Sequence, residues 1–287
     1  MDIITIGKVN RDLTVKLNPE NQNFIDDVLF SFGGSATNTA VALSRLGLRS
    51  GIVGCVGELE TVRPFLDSEG IDFSNITKTD KQMGLVLIKL VNDEKEMHSY
   101  GGANLSLERK HLKKEYLNSA KIVHLSGTNP DVCREAIKQH KFVTLDPGYN
   151  FSTNELKDVT DIIKNLKFFF PTEAELLRLC NTSDVEESIK TVMECGLETL
   201  LVKRVDVITI VTKEKRIDVP IVKGNIVDIS GCGDAFAAGF LYGHINRMDD
   251  KEACEFGIIC AKLKSENLGA SSSPKLEDVK KEFNRFY

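Results

Sequence analysis

Six short apolar runs recur along this chain of 287 residues, and helix-length segments lie between several of them. The runs are Ile3–Ile6, Ile52–Val56, Ile122–Leu125, Phe142–Leu145, Phe168–Phe170 and Thr199–Val202. Most are apolar at nearly every position, which is typical of a strand that helices cover on both faces. The helix-length segments are Ser35–Leu46, Pro130–Gln139 and Glu173–Leu179. Strands that alternate with helices form βαβ units, so the pattern predicts an α/β protein with a mostly parallel sheet between helices.

Two stretches interrupt this alternation of strands and helices. In Asp12–Leu17 polar and apolar residues alternate, while Gly84–Val91 is rich in strand formers and is followed by a charged turn, Asn92–Glu96, and by Met97–Tyr100. Alternation indicates strands with one face in water. We therefore expect a small inserted β-sheet that acts as a lid over a cleft, with edge strands of the main sheet as the alternative. The predicted lid comprises residues 9–32 and 80–101, and the α/β body comprises residues 1–8, 33–79 and 102–287.

Composition disfavours several classes of protein. The 37 basic and 42 acidic residues give a net charge of −5, so the chain lacks the basic excess of a nucleic-acid binder. No apolar run approaches the roughly 20 residues that cross a bilayer, and the start, Met1–Ile4, does not resemble a signal peptide. The seven cysteines contain no CxxC pair, which favours reduced, mostly buried thiols. We expect a cytoplasmic protein with neither nucleic acid nor membrane as a partner.

The segment Val227–Phe240 is the most informative for chemistry. Two close glycines, Gly231 and Gly233, open directly into an apolar, Ala-rich helix. Glycines let the backbone approach a ligand, and the first helical turn offers unpaired N–H donors, so this loop is suited to a phosphate group. Asp234 follows at once and places a carboxylate beside that group. The alternative is an ordinary helix start, because Asp and Gly are common at such positions.

A second glycine pair opens an earlier helix. Gly33 and Gly34 precede a segment with apolar helical spacing, and Gly47 is suited to its C-terminal cap. Asn38 lies on the first turn, close enough to the glycine pair to share a ligand. A plain capped helix is the alternative.

Other enzyme motifs are absent from the sequence. It contains no GxxxxGK[ST], no GxGxxG after the first strand, no GxSxG and no HExxH. The five histidines form no pair at metal-ligand spacing.

Taken together, the glycine segments resemble those of the ribokinase/PfkB family of small-molecule kinases, and the resemblance covers essentially the whole chain. The early helix is similar to the family pattern GG-x-x-x-N-x-A, and the late loop is similar to D-x-x-G-x-G-D. Four shorter segments add to the resemblance in the same order along the chain: Gly7–Asp12 (G-x-x-N-x-D), Gly70–Asp72 (GVD), Gly102–Asn104 (GAN) and Gly269–Pro274 (GA…S-x-P).

The resemblance implies a ribokinase-like fold with a small β-sheet lid, and transfer of a phosphoryl group from ATP to a primary hydroxyl. It assigns Asp234 as the catalytic base and the N–H groups of Gly231, Cys232 and Gly233 as donors to the transferred group. The acceptor would be bound by Asn10, Asp12, Gly33, Gly34 and Asn38. Mg²⁺ would bridge the ATP phosphates.

The sequence departs from the family on the nucleotide side. The family's N-x-x-E motif, whose Glu organises Mg²⁺ through water, is placed at Phe170–Glu173, so Glu173 is retained while Phe170 replaces Asn. The usual G-x-x-G turn is missing after Val202, where Lys203 is the candidate phosphate contact. With Asp228, Gly231 and Gly233, Lys203 completes the predicted nucleotide-binding set.

The resemblance also implies a monovalent cation, K⁺, beside the phosphate loop. Asp228 and Ser273, the latter in the loop Gly269–Ser273, occupy the matching positions, and oxygen ligands suit such an ion. An Asp228 that only caps a turn is the alternative.

The expected acceptor is a neutral one, because Asp146–Asn150 lacks the Arg that relatives acting on sugar acids often carry there. A nucleoside is favoured, with its base near Phe24, Phe30, Phe32 or Tyr100; ribose or another neutral sugar is the runner-up. A non-catalytic nucleotide sensor and a hydroxymethyl-pyrimidine kinase remain alternatives. A homodimer formed through the lids would cover their exposed strand edges.

Overall fold

The structure, a computed structural model, describes residues 1–91 and 94–287 and contains thirteen strands within those ranges. The strands are β1 (Ile3–Gly7), β2 (Asn10–Leu17), β3 (Ile25–Gly33), β4 (Ser50–Val56), β5 (Asp72–Lys78), β6 (Gly84–Val91), β7 (Glu94–Tyr100), β8 (Ile122–Ser126), β9 (Val143–Asp146), β10 (Phe168–Phe169), β11 (Thr199–Lys203), β12 (Val207–Thr212) and β13 (Arg216–Pro220).

Eleven α-helices lie in the same described ranges. They are α1 (Ser35–Arg45), α2 (Leu59–Ser68), α3 (Lys114–Leu117), α4 (Pro130–Gln139), α5 (Gly148–Ser152), α6 (Leu156–Ile163), α7 (Glu173–Cys180), α8 (Val185–Glu194), α9 (Cys232–Ile245), α10 (Asp250–Ser265) and α11 (Leu276–Phe286). Short 3₁₀ helices span Gly102–Ser106 and Arg109–His111. None of the helices in the described part of the chain combines the length and the apolar character that a bilayer crossing requires.

Nine strands form the main sheet, in the order β13-β12-β11-β10-β9-β8-β1-β4-β5. The strands from β11 to β5 run parallel, and at one edge β12 pairs antiparallel with both β11 and β13. Neighbouring residues of β1 enter different cores, because Ile4 packs with residues of α4 and α6 whereas Ile3 packs with residues of α1 and α9. Helices therefore cover both faces, which explains the continuous apolar runs and confirms the predicted fold class.

The remaining four strands form a separate small sheet in the order β3-β2-β6-β7. The pairs β2–β3 and β6–β7 are antiparallel, whereas β2 and β6 are parallel. These are the stretches that interrupt the βαβ rhythm, and they are not edge strands of the main sheet. Part of the predicted charged turn, Asn92 and Asp93, lies outside the described residues.

Helix α9 is buried almost all round between α1 and α10. Two glycines allow the close approach of α10: a Cβ on Gly239 would lie 2.7 Å from the Cα of Gly257. The start of α9, which carries the Gly-Cys-Gly-Asp segment, is thereby fixed against the carboxyl edge of the main sheet.

Candidate active site

Helix α9 begins at a left-handed glycine. Gly231 has φ = 77°, and a Cβ there would lie 2.1 Å from the carbonyl oxygen of Ala270. Both the backbone angle and the contact require glycine. The N–H of Cys232 already donates to the carbonyl of Ile229 at 3.2 Å, so of the three predicted anion donors it is partly engaged within the loop.

The two sequence segments predicted to share a ligand meet at their polar side chains. Asn38 Nδ2, on the first turn of α1, donates to Asp234 Oδ2 at 2.8 Å. Asn38 is buried, and within the described ranges its Oδ1 has no hydrogen-bond partner. Gly34 precedes this helix with φ = 94°, and a Cβ there would lie 2.4 Å from the carbonyl oxygen of Lys8.

The environment of Asp234 favours its protonated form. Burial, followed by the negative charge of Asp146, raises the pKa of Asp234 to about 7, while the hydrogen bond from Asn38 and the ammonium of Lys203 oppose the rise. A carboxyl group that titrates near neutral pH is suited to accept a proton from a hydroxyl and to release it again.

Lys203 lies beside the phosphate loop in an ion pair with Asp146. The Nζ–Oδ2 distance is 2.5 Å, and both side chains are close to nine-tenths buried. A Cβ on Gly233 would lie 3.3 Å from Lys203 Nζ, so the ammonium adjoins the first turn of α9. Burial lowers the pKa of Lys203, but Asp146 and other carboxylates outweigh it and raise the pKa above its usual value. Lys203 therefore occupies the position after Val202 at which the family's G-x-x-G turn is missing.

Asp12 and Asn10 lie at the start of β2, where the small sheet leaves the body. Burial, followed by Asp228, raises the pKa of Asp12 to about 6, and Asp12 Oδ1 has no partner among the described residues. A Cβ on Gly33 would lie 2.1 Å from Asp12 Oδ2, so the glycine leaves room for this carboxylate. Asn10 Oδ1 accepts from Asn104 Nδ2 at 2.7 Å, which gives the Asn of the Gly102–Asn104 segment a positioning contact.

Lys8 adds a further charge near Asp234 and was not among the site residues predicted from the sequence. It follows β1 and is partly buried. Burial lowers the pKa of Lys8, and the carboxylate of Asp234 opposes that effect. In the part of the chain that the structure describes, Lys8 forms no ion pair. The signal in the sequence was a Lys directly after the strand-ending Gly7, within the G-x-x-N-x-D segment.

The predicted Mg²⁺ residue Glu173 does not face Asp234. Its Oε2 accepts from Arg204 Nε at 2.6 Å, in a half-exposed pair. Glu175, two residues later, is the carboxylate whose charge acts on Asp234 and on Lys203. The N-x-x-E spacing fits Thr172–Glu175 when it is placed two residues later, directly after Pro171. The structure thus favours Glu175 over Glu173, with Thr172 rather than Phe170 at the Asn position.

The residues predicted to hold K⁺ have other partners. Asp228 Oδ1 accepts from the Ser230 N–H, and Oδ2 accepts from the Gly269 N–H, each at 3.0 Å. The carbonyl oxygen of Ser273 accepts from Arg45 Nη1 at 2.7 Å. The same loop reaches the small sheet, because Ser271 Oγ donates to the carbonyl of Phe32 at 2.8 Å.

Three of the four aromatic residues proposed to bind a base lie on the face of the small sheet opposite Asp12: Phe30, Phe32 and Tyr100. The register places Phe30 beside Leu13 and Phe32 beside Arg11, and both partners flank Asp12 along β2. Directly paired residues share a face and successive residues alternate. Tyr100 joins that face because it pairs with Leu85, the partner of Arg11. Phe24, ahead of β3, is exposed.

Two candidate catalytic elements, a carboxylate with its pKa raised to about 7 and a glycine-rich helix start, therefore meet at the carboxyl edge of a parallel sheet. Fold and site together define an α/β small-molecule kinase. A family model described as "pfkB family carbohydrate kinase" matches residues 1–277, and the chain belongs to this family. The membership predicted from the motifs is confirmed.

Relatives of the chain carry different acceptors in their names. It is 27% identical to an ATP-dependent ribose-1-phosphate kinase from Halopiger xanaduensis, covering 96% of each chain. It is 25% identical to a nucleoside kinase from Methanocaldococcus jannaschii, covering 84% of this chain and 82% of that one. Its fold is similar to a putative ribokinase II from E. coli solved with ATP and Mg²⁺ (TM-score 0.86, 19% identity, 100% and 99% covered).

Proposed function

We propose that this kinase transfers the γ-phosphoryl group of ATP to a primary hydroxyl, the 5′-hydroxyl of a nucleoside. The observation that carries the proposal is the carboxylate of Asp234, held by Asn38 at the start of α9 with its pKa raised to about 7. Asp234 accepts the proton as the acceptor oxygen attacks the phosphorus, and the bond to the leaving ADP oxygen breaks.

Charges around the phosphate loop support stabilisation of the transferred group. The ammonium of Lys203 lies next to the glycine-rich start of α9, whose N–H groups are the other proposed donors. Negative charge on the equatorial oxygens needs such fixed donors and cations. Mg²⁺, when bound, neutralises charge on the ATP phosphates, and Glu175 would hold it through water. The described residues contain no group of three or more His, Cys, Asp or Glu side chains placed to hold a metal ion.

The acceptor would lie between the small sheet and α1. Asp12 Oδ1 and Asn38 Oδ1, both buried and without partners in the described chain, are suited to accept hydrogen bonds from sugar hydroxyls. Such unpaired buried acceptors cost stability unless a ligand donates to them. The relatives named nucleoside kinases support a ribose-bearing acceptor.

A second candidate, a phosphorylated sugar, is favoured by Lys8. A partly buried cation beside the catalytic carboxylate is suited to bind an anionic group of the acceptor. A neutral nucleoside offers no such group. The relative named ribose-1-phosphate kinase makes ribose 1-phosphate the specific compound to test.

An acceptor panel with ATP and Mg²⁺, read by ADP release, separates these candidates. We expect turnover with nucleosides, and little change in Lys8→Met or in the control Lys16→Met, whose side chain is exposed on β2. Turnover confined to ribose 1-phosphate, with loss of about 10²-fold or more in Lys8→Met only, would replace the nucleoside by the second candidate. ATP binding without turnover of any acceptor would point to a sensor.

The small sheet is proposed to close as a lid over the acceptor, and the chain divides into the body and lid given above. The face of the small sheet opposite Asp12, here called the far face, exposes Val28, Phe30 and Tyr100. These exposed apolar side chains support a homodimer through the lids. Sedimentation of the wild type and of Phe30→Glu tests the dimer. A monomeric wild type would contradict it.

A further inference from the structure

A fully buried lysine lies where the family resemblance places a potassium ion. Lys264 is on the last turn of α10. Its Nζ donates to the carbonyl oxygens of Asp228 at 2.8 Å and of Asn267 at 3.1 Å. A buried ammonium is tolerated only when its donors are bonded, and backbone carbonyls are also the ligands that enclose K⁺ in proteins.

One carbonyl belongs to Asp228, which the resemblance assigns to the cation, and the other to Asn267, two residues ahead of the assigned loop Gly269–Ser273. The first loop leads from Val227 to the glycines of the phosphate site, and the second follows α10. Further hydrogen bonds join these segments: the N–H groups of Val227 and Asp228 donate to the carbonyl of Ser265 at 2.7 and 3.0 Å. Lys264 thus adds a positive charge to a point where both segments already meet.

Most oxygens of Asp228 and Ser273, the two predicted K⁺ residues, already accept hydrogen bonds; Ser273 Oγ is the exception, buried and without a partner among the described residues. Both carboxylate oxygens of Asp228 accept backbone N–H groups, the carbonyl of Ser273 accepts from Arg45, and two further carbonyls accept from Lys264. A K⁺ ion there would also be repelled by the ammonium. One neutral hydroxyl beside a buried ammonium is not the set of several oxygen ligands that K⁺ needs, so the residues do not fit a potassium site.

We infer that the ammonium of Lys264 takes the place of potassium as a cation built into the chain. It holds the carbonyl of Asp228 and thereby the turn that leads to Gly231 and Gly233. A lysine that only caps its own helix would explain the bond to Asn267, three residues on. It would not explain the bond to Asp228, 36 residues earlier and directly ahead of the phosphate loop.

Wild-type turnover should therefore be the same in potassium, sodium and tetramethylammonium salts at equal ionic strength. Activation by potassium alone would overturn the inference. This comparison of salts rests on the proposed kinase activity. Absence of turnover with every acceptor would count against that activity, and the role of Lys264 would then be tested by thermal unfolding alone.

Two variants of Lys264 and one control sharpen the comparison. In Lys264→Ala we expect turnover in sodium to fall about tenfold or more, because two buried carbonyls lose their donor, and to recover in potassium. Lys264→Met, which fills the space, should lose turnover without recovery. The control is Lys262→Met: Lys262 is also buried on α10, but it pairs with Glu266 and Glu282. It should show no potassium dependence.

Thermal unfolding gives a readout without turnover. The melting temperature of Lys264→Ala should rise with potassium relative to sodium, because an ion that binds only the folded state stabilises it. Wild type and Lys262→Met should not respond. A Lys264→Ala protein that melts and turns over like the wild type in every salt would contradict the inference. If this variant does not fold in any salt, the wild-type comparison decides alone.

Discussion

Asn38 Nδ2 donates a 2.8 Å hydrogen bond to Asp234 Oδ2, so an amide on α1 orients the carboxylate at the start of α9. The two residues are 196 positions apart in sequence. With Oδ2 held, the other carboxylate oxygen is the one proposed to accept the proton of the acceptor hydroxyl. Both side chains lie on helices of the main body, so closure of the small sheet, as proposed, would leave this contact in place.

Replacing the base tests this arrangement directly. Asp234→Asn should fold, because Asn is suited to a helix start about as well as Asp. Turnover should fall by at least about 10²-fold while the ATP Kd stays the same or decreases, since a negative charge beside the phosphates is removed. ADP-release kinetics and calorimetry measure the two quantities. A kcat close to that of the wild type would show that Asp234 only caps the helix.

Acceptor turnover should depend on pH through the same group. Because the pKa of Asp234 is raised to about 7, the base is protonated below neutral pH. We expect kcat/KM to fall about tenfold per pH unit below that value and to level off above it. A profile that stays flat down to pH values near the ordinary pKa of Asp would contradict the raised value.

Stability should respond to pH in the opposite direction to activity. An acid whose pKa is higher in the folded state binds more protons when folded, so its contribution lowers the free energy of unfolding as pH rises from about 4 to about 7. Asp234→Asn lacks this effect. Denaturant unfolding at pH 5 and pH 8 should therefore show the variant gaining stability relative to the wild type at pH 8.

The sequence predicted much of this molecule because the relevant signals are local. Apolar runs identified β1, β4, β8 and the other core strands, alternation identified β2, and glycines before Asn38 and Asp234 identified the starts of α1 and α9. Register information was missing for the aromatic residues: Phe30 is one residue out of phase with Asp12, so it lies on the far face.

Partners distant in sequence explain what the sequence could not predict. Glu173 pairs with Arg204, whereas the charge of Glu175 acts on Lys203 and Asp234. No local sequence pattern distinguishes the two glutamates. Lys264 resembles any helix-terminal lysine until the fold brings Asp228 to it. Lys8 acquires significance only because α9 places Asp234 nearby.

Breaking the Asp146–Lys203 pair should be costly. Lys203→Met leaves Asp146 buried without its partner, so the free energy of unfolding should fall by about 3 kcal/mol or more. The double variant Asp146→Asn/Lys203→Met should recover part of the loss, because no unpaired charge remains. Additive losses in urea unfolding would mean that the pair does not interact.

Magnesium dependence should distinguish the two glutamates of α7. Glu175→Gln retains the capping contact with Thr172, since Gln serves at this position, but loses the charge that faces the site. The Mg²⁺ concentration for half-maximal turnover should rise in Glu175→Gln and stay unchanged in Glu173→Gln. The reverse pattern would restore Glu173 as the magnesium residue.

Gly231 and Gly269 separate backbone strain from steric contact. Both have positive φ, but only at Gly231 would a Cβ meet another atom within 4 Å. Gly269→Ala should lose about 1 kcal/mol of unfolding free energy through strain alone. Gly231→Ala should lose more and also weaken ATP binding, because Ala270 must move away. Equal losses of unfolding free energy in the two variants would mean that the strained backbone angle, and not the contact with Ala270, causes the loss.

The loop after α10 has a consequence for how this chain tolerates insertions and deletions. Gly269 holds Asp228 at the phosphate end, and Ser271 holds Phe32 at the acceptor end, with one residue between them. A single added or deleted residue would therefore shift two binding regions at once. The turn between β2 and β3 makes exposed, local hydrogen bonds and does not connect the two regions. Among homologues, length variation should accumulate in that hairpin and be rare between residues 266 and 273.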